Sequence, residues 1–214
     1  MIKFPDSTIV NKVVPKTAFY KHLEVNAGMK THFVEDVDRI VWAYKFAPST
    51  LNVTDGKLVH EITIFSVVLK NKDCPSDVFV FIDKNLPRHT AFILSFEGQK
   101  CILVNYKEAT PTNSAMPYKV TKTYKSSWVQ DSDASLVLEG SSLDMVYENM
   151  VRQVAGSLIV ESTKDLKSDI SISQKQEQLL KEIAMLKNKI ASERQPQKKF
   201  MLHKQLRELE SQLR

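Results

Sequence analysis

Apolar positions recur most regularly in the last part of the chain. Leu179, Ile183, Leu186 and Ile190 stand four, three and four residues apart, and Leu202, Leu206, Leu209 and Leu213 repeat that spacing. A stripe this narrow is the signature of a coiled-coil seam. The two stripes are out of register: Ile190 and Leu202 are twelve residues apart, so on one continuous helix the second would point about 120° away from the first. Pro196 lies between them, and a proline inside a helix costs roughly 3 kcal/mol. The pattern predicts a helical hairpin over 179–214 with its bend near Glu193 to Gln197. Isolated helices of about four turns are marginal in water. Both arms must therefore lean on a neighbour, which makes the stripes a candidate association seam; a hairpin packed on its own domain is the alternative.

Before the hairpin the pattern changes character several times. Ser7 or Thr8 can cap a short helix that Pro15 interrupts, and Lys16 to Leu23 can resume it before Asn26, Ala27 and Gly28 act as a stop. Phe33, Val37, Ile40, Val41 and Tyr44 then follow helical spacing after Thr31, and predict a second helix ending before Pro48. Strand-like runs come next: Leu58 to Leu69, Ala91 to Phe96, Cys101 to Tyr106 and Tyr118 to Trp128. The middle two flank Glu97, Gly98, Gln99 and Lys100 as a hairpin would, and the last alternates with lysines like an edge strand. Ser76 and Asp77 can cap a helix reaching Leu86, with Val78, Phe79 and Ile82 on its apolar face. A further helix follows Ser142, with Leu143, Val146, Met150, Val154 and Leu158 in line. The fold class is α+β: a mainly antiparallel sheet of about four strands with flanking helices, plus the C-terminal helical hairpin or coiled coil. The corresponding domains are a globular body over 1–160, a polar linker, helical in part, over 161–178 and the hairpin over 179–214.

Charge adds one asymmetry. From Leu179 to Arg214 there are nine Lys and Arg against four Glu, which equals the +5 of the whole chain and leaves the rest neutral. Electrostatic attraction to an acidic partner is concentrated there. Arg194, Lys198, Lys199, Lys204 and Arg207, with His203 among them, gather around the bend as candidate nucleic-acid contacts. At 43% hydrophobic and 26% charged residues the chain can bury a core. No window approaches the roughly 18 apolar residues of a membrane span, and the first residues do not read as a signal peptide, so the expected location is the cytoplasm.

Chemistry is hard to find. Five glycines write no phosphate-binding loop, and five scattered histidines write no H-x-x-x-H. Cys74 and Cys101 lack C-x-x-C spacing and read as reduced thiols. A metal-dependent nuclease would draw on Glu61, on Asp83 with Lys84, or on Glu97 with Lys100, but no strand carries an Asp/Glu-x-Lys triplet. The reading is no catalytic set, no metal site and no cofactor, with the nuclease kept as a second alternative behind nucleic-acid binding.

Several short motifs agree in order and spacing with a known family. They are Ile2-Lys3-Phe4-Pro5 with Asn11-Lys12-Val13-Val14-Pro15-Lys16, Glu61-Ile62 through Phe65 and Leu69-Lys70, Ile82-Asp83-Lys84-Asn85-Leu86-Pro87 leading into Phe92-Ile93-Leu94, and Leu202 with Leu206-Arg207 and Leu209. Together they resemble the bacterial DUF4391 family over nearly the whole chain. Asn85 departs from the pattern, where a small apolar residue is expected. The resemblance carries no catalytic residues. It implies the company of helicase-like proteins and DNA methyltransferases in restriction-like or anti-phage gene clusters, hence an accessory or adaptor protein whose partner is one of these. A homodimer is a further expectation.

Overall fold

The computed structural model of the chain describes residues 2–20, 25–111, 114–160 and 165–212. The chain divides into two compact units, Met1–Gly156 and Ser157–Arg214. The first opens with a 3-10 turn at Asp6–Thr8 and continues through β1 (Ile9–Val14), α1 (Thr17–Tyr20), α2 (Ala27–Glu35), β2 (Val37–Phe46), α3 (Pro48–Leu51) and β3 (Ile62–Leu69). There follow α4 (Asp77–Lys84), β4 (His89–Phe96), β5 (Gln99–Ala109), β6 (Tyr118–Lys125), β7 (Val129–Gln130) and α5 (Leu143–Ala155). The seven strands form one sheet in the order β1-β2-β3-β4-β5-β6, with β7 beside β5. β3 and β4 run parallel, and every other pair is antiparallel. The α+β class stands, but a mixed sheet of seven strands replaces the expected, mainly antiparallel one of about four. The parallel pair follows from α4, because a crossover helix is what returns a chain to pair in the same direction.

β1 and β2 account for most of the added strands. Helical spacing at Val37, Ile40, Val41 and Tyr44 predicts a helix, yet α2 ends at Glu35 and residues 37–46 are extended. Register shifts between Val37 and Arg39 and between Trp42 and Tyr44 explain the coincidence. A bulge inserts one residue and flips the inward parity. Val37 and Ile40 thus both face inward although three apart, as they would on a helix. Asn26 is not a stop but the cap of α2, its Oδ1 accepting from the Met29 N–H at 2.8 Å. Residues 9–14, expected to be helical, pair antiparallel with β2, with a positive φ of 50° at Asn11 where the register shifts. Of the run from Lys16 to Leu23, residues 17–20 are helical, and Leu23 lies outside the described residues.

Other expectations hold with shorter bounds. The predicted β4–β5 hairpin turns through Glu97 and Gly98, whose φ values of 43° and 76° are both positive, as a two-residue turn matching strand twist requires. α4 buries Val78, Phe79 and Ile82 against Phe33, Phe65 and Phe92. Asn85 finds its role at the end of α4, where its side-chain amide donates to the Phe81 carbonyl at 2.8 Å. α5 starts at a Ser142 cap and buries Leu143, Val146, Met150 and Val154, whereas Leu158 falls beyond it and is exposed. Among the described residues β6 pairs only with β5, at the sheet edge.

The second unit contains α6 (Leu166–Ser192) and α7 (Pro196–Ser211). Helix α6 begins inside the stretch expected as a linker, capped by Asp165, whose carboxylate accepts from the Ser168 N–H at 2.9 Å. Polar residues there support each other four apart, as Glu177 with Lys181 at 2.7 Å shows. Pro196 sits in the first turn of α7, where its missing N–H would have had no helical partner anyway. Among the described residues no helix is long and apolar enough to cross a membrane.

Candidate functional site

The predicted seam is where the two C-terminal helices meet. Ile183 and Ile190 are buried, while Leu179, Leu186, Leu202, Leu206 and Leu209 are half-buried. Leu213 lies outside the described residues. A salt bridge of 2.9 Å from Lys187 to Glu210 ties the arms. Half-burial of five seam residues means that pairing the arms does not close the core. Two clefts lie along the pair and share Lys189 and Gln205. One, of about 610 Å³, has Met201 and Leu202 in its wall; the other, of about 360 Å³, has Met185, Leu186 and Leu209. Together they make a groove floored by seam leucines and edged by methionines. Met185 and Met201 are 56% and 57% exposed, and Phe200 is 64% exposed.

The basic candidates are distributed differently. Arg194 stands in the link, Lys198 and Lys199 in the first turn of α7, and Lys204 and Arg207 further along. At about 100° per residue, the four on α7 are spread around the helix by roughly 240° rather than gathered in a stripe. Glu193 tempers the bend: its carboxyl is held below the usual range first by the Gln195 N–H, at 2.8 Å, and also by Lys198 and Lys199.

Sequence reasoning missed a buried polar cluster in the first unit. The Lys107 ammonium, 1% exposed, meets the Asp83 carboxylate at 2.6 Å and donates to the carbonyls of Asp83, Leu86 and Arg88. Asn105 donates to the other Asp83 oxygen at 2.9 Å and accepts from Thr123 at 2.7 Å. Tyr147 of α5 donates to the Asn105 carbonyl at 2.7 Å and accepts from the Lys107 N–H at 3.1 Å. Burial pushes the Asp83 carboxyl up and the Lys107 ammonium down, each opposed by the other's charge. With its donors all engaged, Lys107 acts as a staple between β5 and the end of α4. A signal for it existed: Cys101 and Leu103 face the α4 core, and the same alternation carries Asn105 and Lys107 inward.

The carboxylates weighed for a nuclease are dispersed. Glu61 pairs with Lys45 at 2.8 Å and Arg88 at 2.5 Å, Asp83 is sealed by Lys107, and Glu97 is in the β4–β5 turn. Among the described residues no three His, Cys, Asp or Glu are placed to hold a metal. Cys74 and Cys101 are free and buried, and burial pushes their thiols up to about 12 and about 11.

A family model described as "Domain of unknown function (DUF4391)" matches residues 2–213. No curated protein and no solved structure matches the chain.

Proposed function

The chain belongs to the DUF4391 family, and on that premise we propose that it is a non-enzymatic adaptor of a bacterial DNA-processing system, working through its C-terminal helices. The observation that carries this reading is the groove between α6 and α7, whose leucine floor stays half-open and whose methionine edges are exposed. Such a groove suits an amphipathic helix laid along it as the third member of a small core. Methionine edges adapt to the shape of the incoming side chains. The nine Lys and Arg against four Glu in 179–214 bear on the occupant: the net charge of the segment repels a second copy and draws an acidic helix, while the groove walls themselves mix Lys189 and Lys198 with Glu182, Glu193 and Glu208. The partner is accordingly a different protein, and a helicase-like protein or DNA methyltransferase is the kind that the family resemblance implies.

The test uses the full chain. Light scattering should give the mass of one copy. A synthetic amphipathic helix with a leucine stripe and glutamate flanks should bind, with affinity falling as salt rises. The double variant Met185→Asp, Met201→Asp should abolish that binding without altering the tryptophan fluorescence of the first unit. A dimeric mass, or peptide binding indifferent to the two substitutions, would overturn the proposal. Nucleic-acid binding through Arg194, Lys198, Lys199, Lys204 and Arg207 remains a rival outcome, read by titrating a labelled duplex at low salt.

A further inference from the structure

His89 opens β4 and is 2% exposed; no hydrogen bond to its ring is seen among the described residues, and its nitrogens are not among the sealed, unpartnered polar atoms, so its polar edge opens to the clefts it lines. The ring sits between two aromatic neighbours, tilted against Tyr118 and edge-on to Tyr147, with both centroids 4.5 Å away. It also forms part of the wall of two adjoining clefts. One, of about 360 Å³, is lined further by Leu58, Val59, Tyr106, Tyr118 and Tyr147; the other, of about 270 Å³, by His60, Arg88 and Tyr118. His89 and Tyr118 are common to both.

The larger cleft is built, not incidental. Its rim at Lys57, Leu58 and Val59 is held by three backbone N–H groups donating to the Asp144 carboxylate at 2.6, 3.1 and 2.8 Å. The Tyr118 hydroxyl donates to the Leu58 carbonyl at 2.5 Å, fixing the same rim from the other side. Two tyrosine rings thus flank the histidine, and Tyr106 adds a third to the cleft wall. Burial, and secondarily Lys107, lower the His89 imidazole to about 3, so at neutral pH it offers one donor and one acceptor rather than a cation.

We propose that this cleft is a binding site for a nucleobase presented as an uncharged nucleoside, stacked against the half-exposed Tyr118 ring and hydrogen-bonded to His89. The shape supports a flat ligand, since the wall is aromatic. The size agrees: at roughly 30 Å³ for each water displaced, about a dozen small atoms fit, the scale of one base. The charge supports a neutral one, because Lys57 and Lys107 offset Asp144 and Glu148 in the wall and leave no net positive charge to hold a phosphate.

Adenosine, guanosine, cytidine and uridine, tested singly against the full chain by saturation-transfer NMR and calorimetry, should show binding of at least one. The matching 5′-monophosphate should bind more weakly. His89→Phe keeps the ring and removes the hydrogen bonds, and should weaken binding by about tenfold. Should that variant fail to fold, Tyr118→Leu at the half-exposed wall is read by the same criterion. No nucleoside binding at millimolar concentration, a monophosphate preferred over its nucleoside, or affinity unchanged in the substituted proteins would overturn the proposal.

Discussion

The buried His89 makes the stability of the first unit fall in mild acid, by an amount its surroundings set. Its folded value of about 3 lies below the ordinary 6.5, so between these two pH values the unfolded chain binds a proton that the folded chain refuses. Stability from this residue is complete above about pH 6.5 and drains away as the pH falls toward 3. The slope for one proton is about 1.4 kcal/mol per pH unit, so at about pH 5 the shortfall is roughly 2 kcal/mol. Urea unfolding reads this directly, because both tryptophans, Trp42 and Trp128, are in the first unit. With a urea dependence of about 2 kcal/mol per molar, the midpoint should drop by about 1 M between neutral pH and about pH 5. His89→Phe removes the proton and should remove that part of the drop. Asp83, Glu61 and Asp144 titrate in both proteins and cancel in the comparison. Parallel pH dependences for the two proteins would refute the account of a buried neutral imidazole.

Lys107→Met leaves the Asp83 carboxylate buried without its counter-charge and should cost about 3–5 kcal/mol in urea unfolding. Adding Asp83→Leu should recover a large part of it; a double variant as unstable as the single one would show that the two groups are not coupled. Asp144→Asn weakens three backbone hydrogen bonds at once, worth about 1 kcal/mol after allowance for solvent, and should speed amide exchange at Lys57, Leu58 and Val59. Burial alone would raise the Asp144 carboxyl, but those N–H donors more than offset it and hold it below 3.8. The tether is therefore complete above that value and lost as the pH falls through the depressed one. Exchange at these amides that is identical in the variant would remove the tether from the account.

Local periodicity determined the elements that need only near neighbours. The two leucine stripes and Pro196 specify the C-terminal helix pair, the Ser142 cap and its apolar row specify α5, and Glu97-Gly98 specifies the β4–β5 turn. Each rests on interactions within a few residues, which spacing alone can express. Tertiary structure decided the rest. β2 is a strand because residues 37–46 pair with both β1 and β3, and its bulges disguise a period of two as one near 3.6. The cleft was least legible of all: His89, Tyr118 and Tyr147 come from β4, β6 and α5, and each alone is an ordinary residue. Only the sheet order and the packing of α5 against it bring the three rings together, and burial in that packing keeps the imidazole neutral. That desolvation gives His89 its unusual neutrality, and it is a property of the packed sheet rather than of any stretch of chain.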